Sequence, residues 1–318
     1  MDARRFLITG GLGYIGTALI ASIQQKLPQA GVCVLDIDIH RRALQFSAHR
    51  GCLIHHESVL NPEAIGRLLR DFRPHHVYHL AAQHYLPDCI NKPHYTLQLN
   101  VQGTKNIVDA VNQFGKPFIK TFVFASSAAV YKDLGSVNSI ETDPVGGMDA
   151  YGQSKTLAEA HVARLSSAPY AIARIFNVYG RKDPIQHLIP SLCKQVAEGN
   201  ETIRVGDLRT TRDYVHVDDV ARALFMLSEP SPSRAQNVYN IGSGEGVSGA
   251  VLVSMLKEAS GRHLTCIEDP IRLRPTDRRY LVACNTAIKA DLTWFPTTNF
   301  RDGLKAVLHG VSAALPVT

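Results

Sequence analysis

The chain has 318 residues, 45% of them apolar and 19% charged, a composition shared by ordinary globular proteins that excludes a disordered or fibrous chain. At roughly 150 residues per domain, this length predicts about two domains. The formal net charge is +6, yet between Glu201 and Val282 eleven Lys or Arg are matched by eleven Asp or Glu, so no stripe of unopposed cations marks a nucleic-acid surface and no nucleic-acid partner is expected.

No run of about 18 uncharged apolar residues occurs, and MDARRFLITGG holds too short a hydrophobic stretch for a signal peptide. The expected location is the cytoplasm, with no membrane partner. Cys33, Cys52, Cys89, Cys193, Cys266 and Cys284 form no CxxC pair and suit reduced packing thiols. Of the histidines at 55, 56, 75, 76 and 79, the second group (His75, His76 and His79) sits in a strand pattern without an acidic or cysteine partner at ligand spacing, and with His55 and His56 read as structural no metal is expected.

In chain order, β-rich apolar runs at 5–9, 32–36, 52–56, 76–80, 121–125 and 170–175 alternate with amphipathic patterns at 14–27, 62–72, 93–114 and 151–165. Strand and helix in alternation predict parallel pairing through crossovers, with helices on both faces. The expected class is α/β: a Rossmann-type doubly wound parallel sheet over 1–176, then a smaller mixed α/β substrate domain over 177–318, from which 236–243 returns to the sheet.

The first strand enters the first helix through FLITGGLGYIG. Gly11, Gly13 and Gly16 fit GxGxxG, and Gly10, Gly13 and Gly16 fit the TGxxGxxG variant. Such glycines let the backbone approach a pyrophosphate at the helix N-terminus, although a plain tight turn also uses them. Asp36 ends the second strand, where a carboxylate accepts hydrogen bonds from adenosine ribose hydroxyls. NAD is therefore expected over NADP, whose 2′-phosphate would oppose Asp36 unless Arg41 and Arg42 folded back over it.

Tyr151 and Lys155 share one helix face in YGQSK, with Asp149 placed to cap the helix. A phenol must fall by about three pH units to act as a base at neutral pH, costing about 4 kcal/mol. One cation about 4 Å away supplies about that much at an effective dielectric near 20. Lys155 together with an oxidised nicotinamide is expected to bring Tyr151 into range, although a Tyr and Lys four apart also arise by chance. Ser126 and Ser127 follow the fifth strand at its carboxyl end, and Ser127 is the candidate proton relay. The alternative is two serines that cap a strand end.

TGGLGYIG, HLAA (79–82), NVQGT (100–104), SSAAVY (126–131), YGQSK (151–155), RIFNVYG (174–180), RDYVHVDDVARA (212–223), YNIGSG (239–244) and RPTD (274–277) occur in this order. In them the chain resembles the extended short-chain dehydrogenases of the NAD-dependent epimerase/dehydratase family, over nearly its full length. The resemblance implies NAD on the N-terminal domain and a nucleotide-diphosphate sugar as partner in the cleft below the second. By position, Gly10, Gly13, Tyr14, Ile15 and Gly16 would surround the pyrophosphate, and Asp36 and Ile37 the adenosine ribose. Ser58 and Val59 would lie by the adenine, Leu80, Ala81 and Ala82 by the nearby cofactor backbone, with Asn100 and Ala125 flanking. Tyr151 and Lys155 would also touch the cofactor, and Ser127, Tyr151 and Lys155 would be catalytic. Substrate contacts would come from Ser127, Asn177, His187, Leu188, Val205, Arg212, Arg274 and Asp277. Two separated arginines suit a diphosphate, although Arg212 and Arg274 would also serve as surface partners of Asp213 and Asp277.

The chain departs from the family pattern at Ser58, where aspartate is usual, at Lys132, at Thr276 and in ACNTAIKA (283–290). Ala128 and Ala129 stand where 4,6-dehydratases of this family carry an Asp and Glu pair. The resemblance therefore favours an NAD-dependent epimerase acting at C4 through a 4-keto sugar. Another nucleotide-sugar reductase, decarboxylase or dehydratase on this scaffold is the alternative, and a cofactor sensor without catalysis a second. His84 and Tyr85 carry no assigned role. Apolar residues on more than one face of the patterns at 93–114 and 151–165 suit a homodimer contact, or burial within one chain.

Overall fold

The computed structural model describes residues 3–38, 51–184, 187–231, 234–273 and 278–314. Its strands are β1 (Arg5–Thr9), β2 (Gly31–Asp36), β3 (Leu53–His56), β4 (His76–His79), β5 (Thr121–Ser127), β6 (Tyr170–Ile175) and β7 (Asn177–Tyr179). There follow β8 (Thr202–Val205), β9 (Thr211–His216), β10 (Val238–Ile241), β11 (Gly246–Ser248), β12 (Thr265–Glu268) and β13 (Tyr280–Leu281). The seven-stranded sheet runs β10-β6-β5-β4-β1-β2-β3, and every neighbour is parallel. Chain order reverses at β1, which lies between β2 and β4. A crevice at the carboxyl ends of such strands is where open α/β sheets bind ligands.

Helices cover both faces. On one side Leu19, Ile20 and Ile23 of helix Tyr14–Lys26 pack with Val220, Leu224 and Leu227 of helix Val217–Ser228. On the other, Ile65 and Leu69 pack with Ile107 and Val111, and Ala158 and Val162 from helix Ala150–Val162. Besides β10, the second half of the chain thus returns helix Val217–Ser228 to this layer. The remaining lobe holds β11-β9-β13 with β7 beside β9, the pair β12-β8, and helices Leu188–Ala197, Gly249–Ser260 and Phe300–Ala314 around Leu192, Ile203, Leu252 and Leu304.

The sequence predicts one helix over 93–114; the structure interrupts it. Helix Pro93–Leu97 passes into a π-turn at Gln98–Gln102 before helix Gly103–Phe114. Asn100 in that turn is buried at 1% exposure and bonds inward to the Gln83 backbone and to Ser154. A π-turn is a local irregularity that hydrophobic periodicity does not encode.

Buried polar anchors join the layers. Glu159 grips Arg174 through two bonds of 3.0 and 2.8 Å and accepts from Ser126. Asp213 of β9 accepts from Ser243 N, Ser243 Oγ, Gly244 N and Ala283 N. Among the described residues no cluster of three metal-ligating side chains occurs, and no helix is long and apolar enough to cross a membrane.

His79, fully buried, lies between Thr9 Oγ1 at 2.6 Å and Thr104 Oγ1 at 3.0 Å. His76 stacks on Phe6, their ring centroids 5.0 Å apart. Burial holds both imidazoles neutral, His76 down to about 4 and His79 down to about 3 from 6.5. As pH falls below 6.5 the unfolded chain binds protons that the folded chain refuses, so stability is lost through this window. His79→Gln should reduce the slope of unfolding free energy against pH below 6 by about 1.4 kcal/mol per unit, measured by urea denaturation.

Candidate active site

At the carboxyl end of β1 the chain turns through Gly10 with φ +69°, a left-handed conformation natural to glycine. A Cβ at Gly10 would lie 2.7 Å from Ala81 N, and one at Gly16 would lie 2.6 Å from the Gly10 and Gly11 carbonyl oxygens. Gly13 is the N-cap of helix Tyr14–Lys26 and no side chain caps it, so first-turn N–H groups are available to an anion. Leu12 N donates to Asp36 Oδ2 at 3.0 Å and Asp38 N to Oδ1 at 3.1 Å. Loop and carboxylate are therefore one rigid unit. Ile37 beside it is half exposed.

The other expected cofactor residues line this crevice to different degrees. Leu80 N bonds the Thr9 carbonyl, and Ala81 N bonds Thr9 Oγ1. The Ala82 carbonyl meets His84 Nδ1 at 3.4 Å. Tyr14 turns its buried hydroxyl toward Gly180, where it finds no partner among the described residues, and Ile15 packs against the core. Backbone groups are what these two residues offer to a pyrophosphate. Ser58 Oγ accepts from Leu60 N, and Val59 is core. The side chain of Asn100 is fully committed to Gln83 and Ser154, so it sets the loop after β4 and the helix bearing Tyr151 instead of reaching a ligand.

Asp149 accepts from Gly152 N at 2.7 Å and caps helix Ala150–Val162. Tyr151 stands in its first turn, and the hydroxyl of Ser127, which ends β5, favours its ionisation. Burial pushes the phenol up to about 12, with Cys89 and Asp149 also opposing the ionisation that Ser127 favours. Lys155 Nζ lies 2.7 Å from the Ala125 carbonyl oxygen and 4.7 Å from the centroid of Phe124. Burial lowers it to about 8, against which Glu159 and Cys89 pull it up. The ammonium is drawn onto a strand carbonyl, and desolvation dominates the phenol.

The residues expected on the substrate side come from the second half of the chain. His187 Nδ1 lies 3.0 Å from Asp183 Oδ2, and its ring centroid is 6.4 Å from that of His84. His84 thereby gains a place in the cleft wall. Leu188 begins the next helix, 37% exposed, and Asn177 is exposed on β7. Val205 is 2% exposed in the lobe's own core, so its side chain is unavailable to a ligand. Arg212 Nη1 donates to the Thr211 carbonyl at 2.8 Å. Asp213, the surface partner considered for Arg212, instead turns inward to four donors. Arg41, Arg42, Arg274, Thr276 and Asp277 lie outside the described residues.

Three contributors were absent from the sequence reading. Glu159 continues the spacing of Tyr151 and Lys155 by one more turn, a signal present in the sequence. Cys89 acts electrostatically on Tyr151 and Lys155, and Arg278 bonds the carbonyls after Ser127; neither has a local sequence signature.

Residues 6–242 match the model of the NAD dependent epimerase/dehydratase family. The chain is 31% identical to a UDP-glucose 4-epimerase of Streptomyces lividans, covering 92% of each sequence. It is 28% identical to a GDP-6-deoxy-D-mannose reductase of Pseudomonas aeruginosa, over 80% of this chain and 85% of the reductase. The UDP-glucose 4-epimerase of Thermus thermophilus, solved in complex with NAD, superposes with a TM-score of 0.83 at 27% identity, over 98% of this chain and 100% of that one.

The cradle left by absent Cβ atoms, the uncapped helix end and the fixed Asp36 fit NAD. Gly16→Ala should cost about 1–3 kcal/mol of stability through overpacking and weaken NAD binding at least about tenfold by displacing the pyrophosphate loop. Calorimetric titration beside thermal unfolding measures both; unchanged NAD affinity would refute the assignment.

Proposed function

Because the chain belongs to the NAD-dependent epimerase/dehydratase family, we propose that it is an epimerase of a nucleotide-diphosphate sugar, inverting C4 through a transient 4-keto sugar. The observation that carries this reading is Ser127, at the carboxyl end of β5, set to favour ionisation of the Tyr151 phenol and followed by Ala128 and Ala129. Elimination of water across two further carbons calls for an additional acid and base, and two alanines supply neither. The relatives include a reductase, but an epimerase uses the same pair with no net redox change.

Tyr151 takes the C4 hydroxyl proton and later returns it, with Ser127 holding the sugar oxygen and sharing that proton. Lys155, anchored on the Ala125 carbonyl, keeps positive charge within the site. When bound, NAD supplies the hydride acceptor, the hydride donor and, while oxidised, a second positive charge near the phenol. Gly10, Gly13 and Gly16 would hold its pyrophosphate and Asp36 its adenosine ribose. His187, Leu188, Asn177 and Arg212 are proposed for the nucleotide side of the substrate, and Arg274 and Asp277 on sequence grounds. We also propose a homodimer, supported by Tyr95 and Leu157, which are 41% and 50% exposed on helices Pro93–Leu97 and Ala150–Val162. A monomer in sedimentation at micromolar concentration rejects it.

Cofactor released from denatured protein should be NAD. Native protein given a panel of nucleotide-diphosphate sugars without added NAD should produce a C4 epimer, seen by proton NMR at the anomeric and C4 positions. Tyr151→Phe should lower kcat by about a hundredfold to ten-thousandfold. Stoichiometric NADH, released carbon dioxide or an accumulating keto sugar would reject the epimerase reading in favour of a reductase, decarboxylase or dehydratase.

A further inference from the structure

Arg278 enters the catalytic layer from the stretch before β13 and is 7% exposed. Its Nη1 donates to the Ala128 carbonyl oxygen at 3.2 Å, Nη2 to the Ala129 carbonyl at 2.9 Å, and Nε lies 3.2 Å from Met148 Sδ. The peptide joining Ala128 to Ala129 thus receives a cationic donor on its oxygen. The N–H of that same peptide donates to Ser127 Oγ at 3.1 Å, and the Ser127 hydroxyl favours ionisation of Tyr151. Guanidinium, peptide and hydroxyl form a hydrogen-bonded series that leads toward the phenol.

Each link has a direction. A cation at a peptide oxygen polarises the amide and makes its N–H a stronger donor. That N–H engages the serine oxygen and leaves its remaining hydrogen-bonding capacity for the phenol and a substrate. The turn Ala128–Val130 has no slack on its other side, because a Cβ at Gly152 would lie 2.4 Å from the Ala129 carbonyl oxygen. Arg278 and Gly152 hold this turn between them.

We propose that Arg278 is a positioning residue for the proton transfer, holding the Ala128–Ala129 peptide so that its N–H fixes Ser127 against Tyr151. The proposal rests on Tyr151 and Ser127 being the reactive pair. A guanidinium that merely tied two carbonyls together would matter equally whether Ser127 were present or not. The titratable groups around the phenol are Cys89 from helix Leu86–Asn91, Asp149 at the cap and Lys155 one turn along. Cys89 and Asp149 oppose the phenolate, so a cation-biased serine acts against them.

The test is a double-mutant cycle on the NAD-loaded protein, with Arg278→Met and Arg278→Lys each made in wild-type and Ser127→Ala backgrounds. Arg278→Met should lower kcat about tenfold with KM changed less than about twofold, and Arg278→Lys should restore most of the loss. In the Ser127→Ala background the Arg278 effect should vanish. Tyr151 ionisation, followed as tyrosinate absorbance against Tyr151→Phe, should move up by about half a pH unit or more in Arg278→Met. Equal proportional losses in both backgrounds, a raised KM at unchanged kcat, or an unmoved phenol titration overturns the proposal. The titration needs no substrate, so it decides the role of Arg278 even if the sugar panel gives no turnover. Should Arg278→Met unfold early, Arg278→Lys read in the same cycle decides.

Discussion

Desolvation of one phenol governs the chemistry we propose for this fold. Burial leaves Tyr151 near 12, so making its phenolate at neutral pH costs about 7 kcal/mol at about 1.4 kcal/mol per unit. One cation about 4 Å away at an effective dielectric near 20 returns about 4 kcal/mol, which is too little alone. A second cation of similar strength closes the gap. Under the mechanism we propose, the phenol would stay neutral until the charge of an oxidised nicotinamide joins that of Lys155. Lys155, lowered to about 8 by the same burial, still carries most of its charge at neutral pH.

Such a pair functions only if its framework does not relax around it. Three buried devices hold it. Thr9, His79 and Thr104 bond in series beneath the glycine loop, so the ends of β1 and β4 move together. Asn100, turned inward by the π-turn, ties the loop after β4 to Ser154, one residue before Lys155. Glu159 binds the other end of that helix face to Arg174 on β6 and to Ser126 on β5. A buried ion pair is weak support for net stability, because desolvation offsets the Coulomb gain. Its geometric demand is strict, and here it fixes which face of helix Ala150–Val162 meets the strand that carries Ser127.

The alternation of short β-branched runs with amphipathic ones made the sheet, its parallel sense and its covering helices legible, and the expected strand positions differ from those observed by a residue or two. The glycine loop and Asp36 were equally readable, because close backbone approach and a strand-end carboxylate are local requirements. The amide of Asn100 is consumed inside the protein by Gln83 and Ser154, a commitment that only tertiary packing decides. Val205 shows the same limit, since strand alternation alone does not say which face of a two-stranded ribbon is core. The return of helix Val217–Ser228 to the sheet layer is likewise invisible in chain order, because its apolar stripe would suit either lobe.

The least legible feature is also the one with most influence on protonation. Pairing a tyrosine with a lysine four residues on predicts attraction, and on an isolated helix that would hold. Inside the protein, Lys155 Nζ has a strand carbonyl at 2.7 Å, and a buried ammonium takes the nearest strong acceptor because an unsatisfied one is costly. Spacing along a helix therefore fixes that two groups share a face, while competition among acceptors fixes which contacts they make. Ala125 wins that competition through the register of β5 against the helix, set by Glu159 two turns beyond Tyr151. The electrostatics of the reactive phenol are in this sense a property of sheet register, with the Tyr and Lys motif as its visible end.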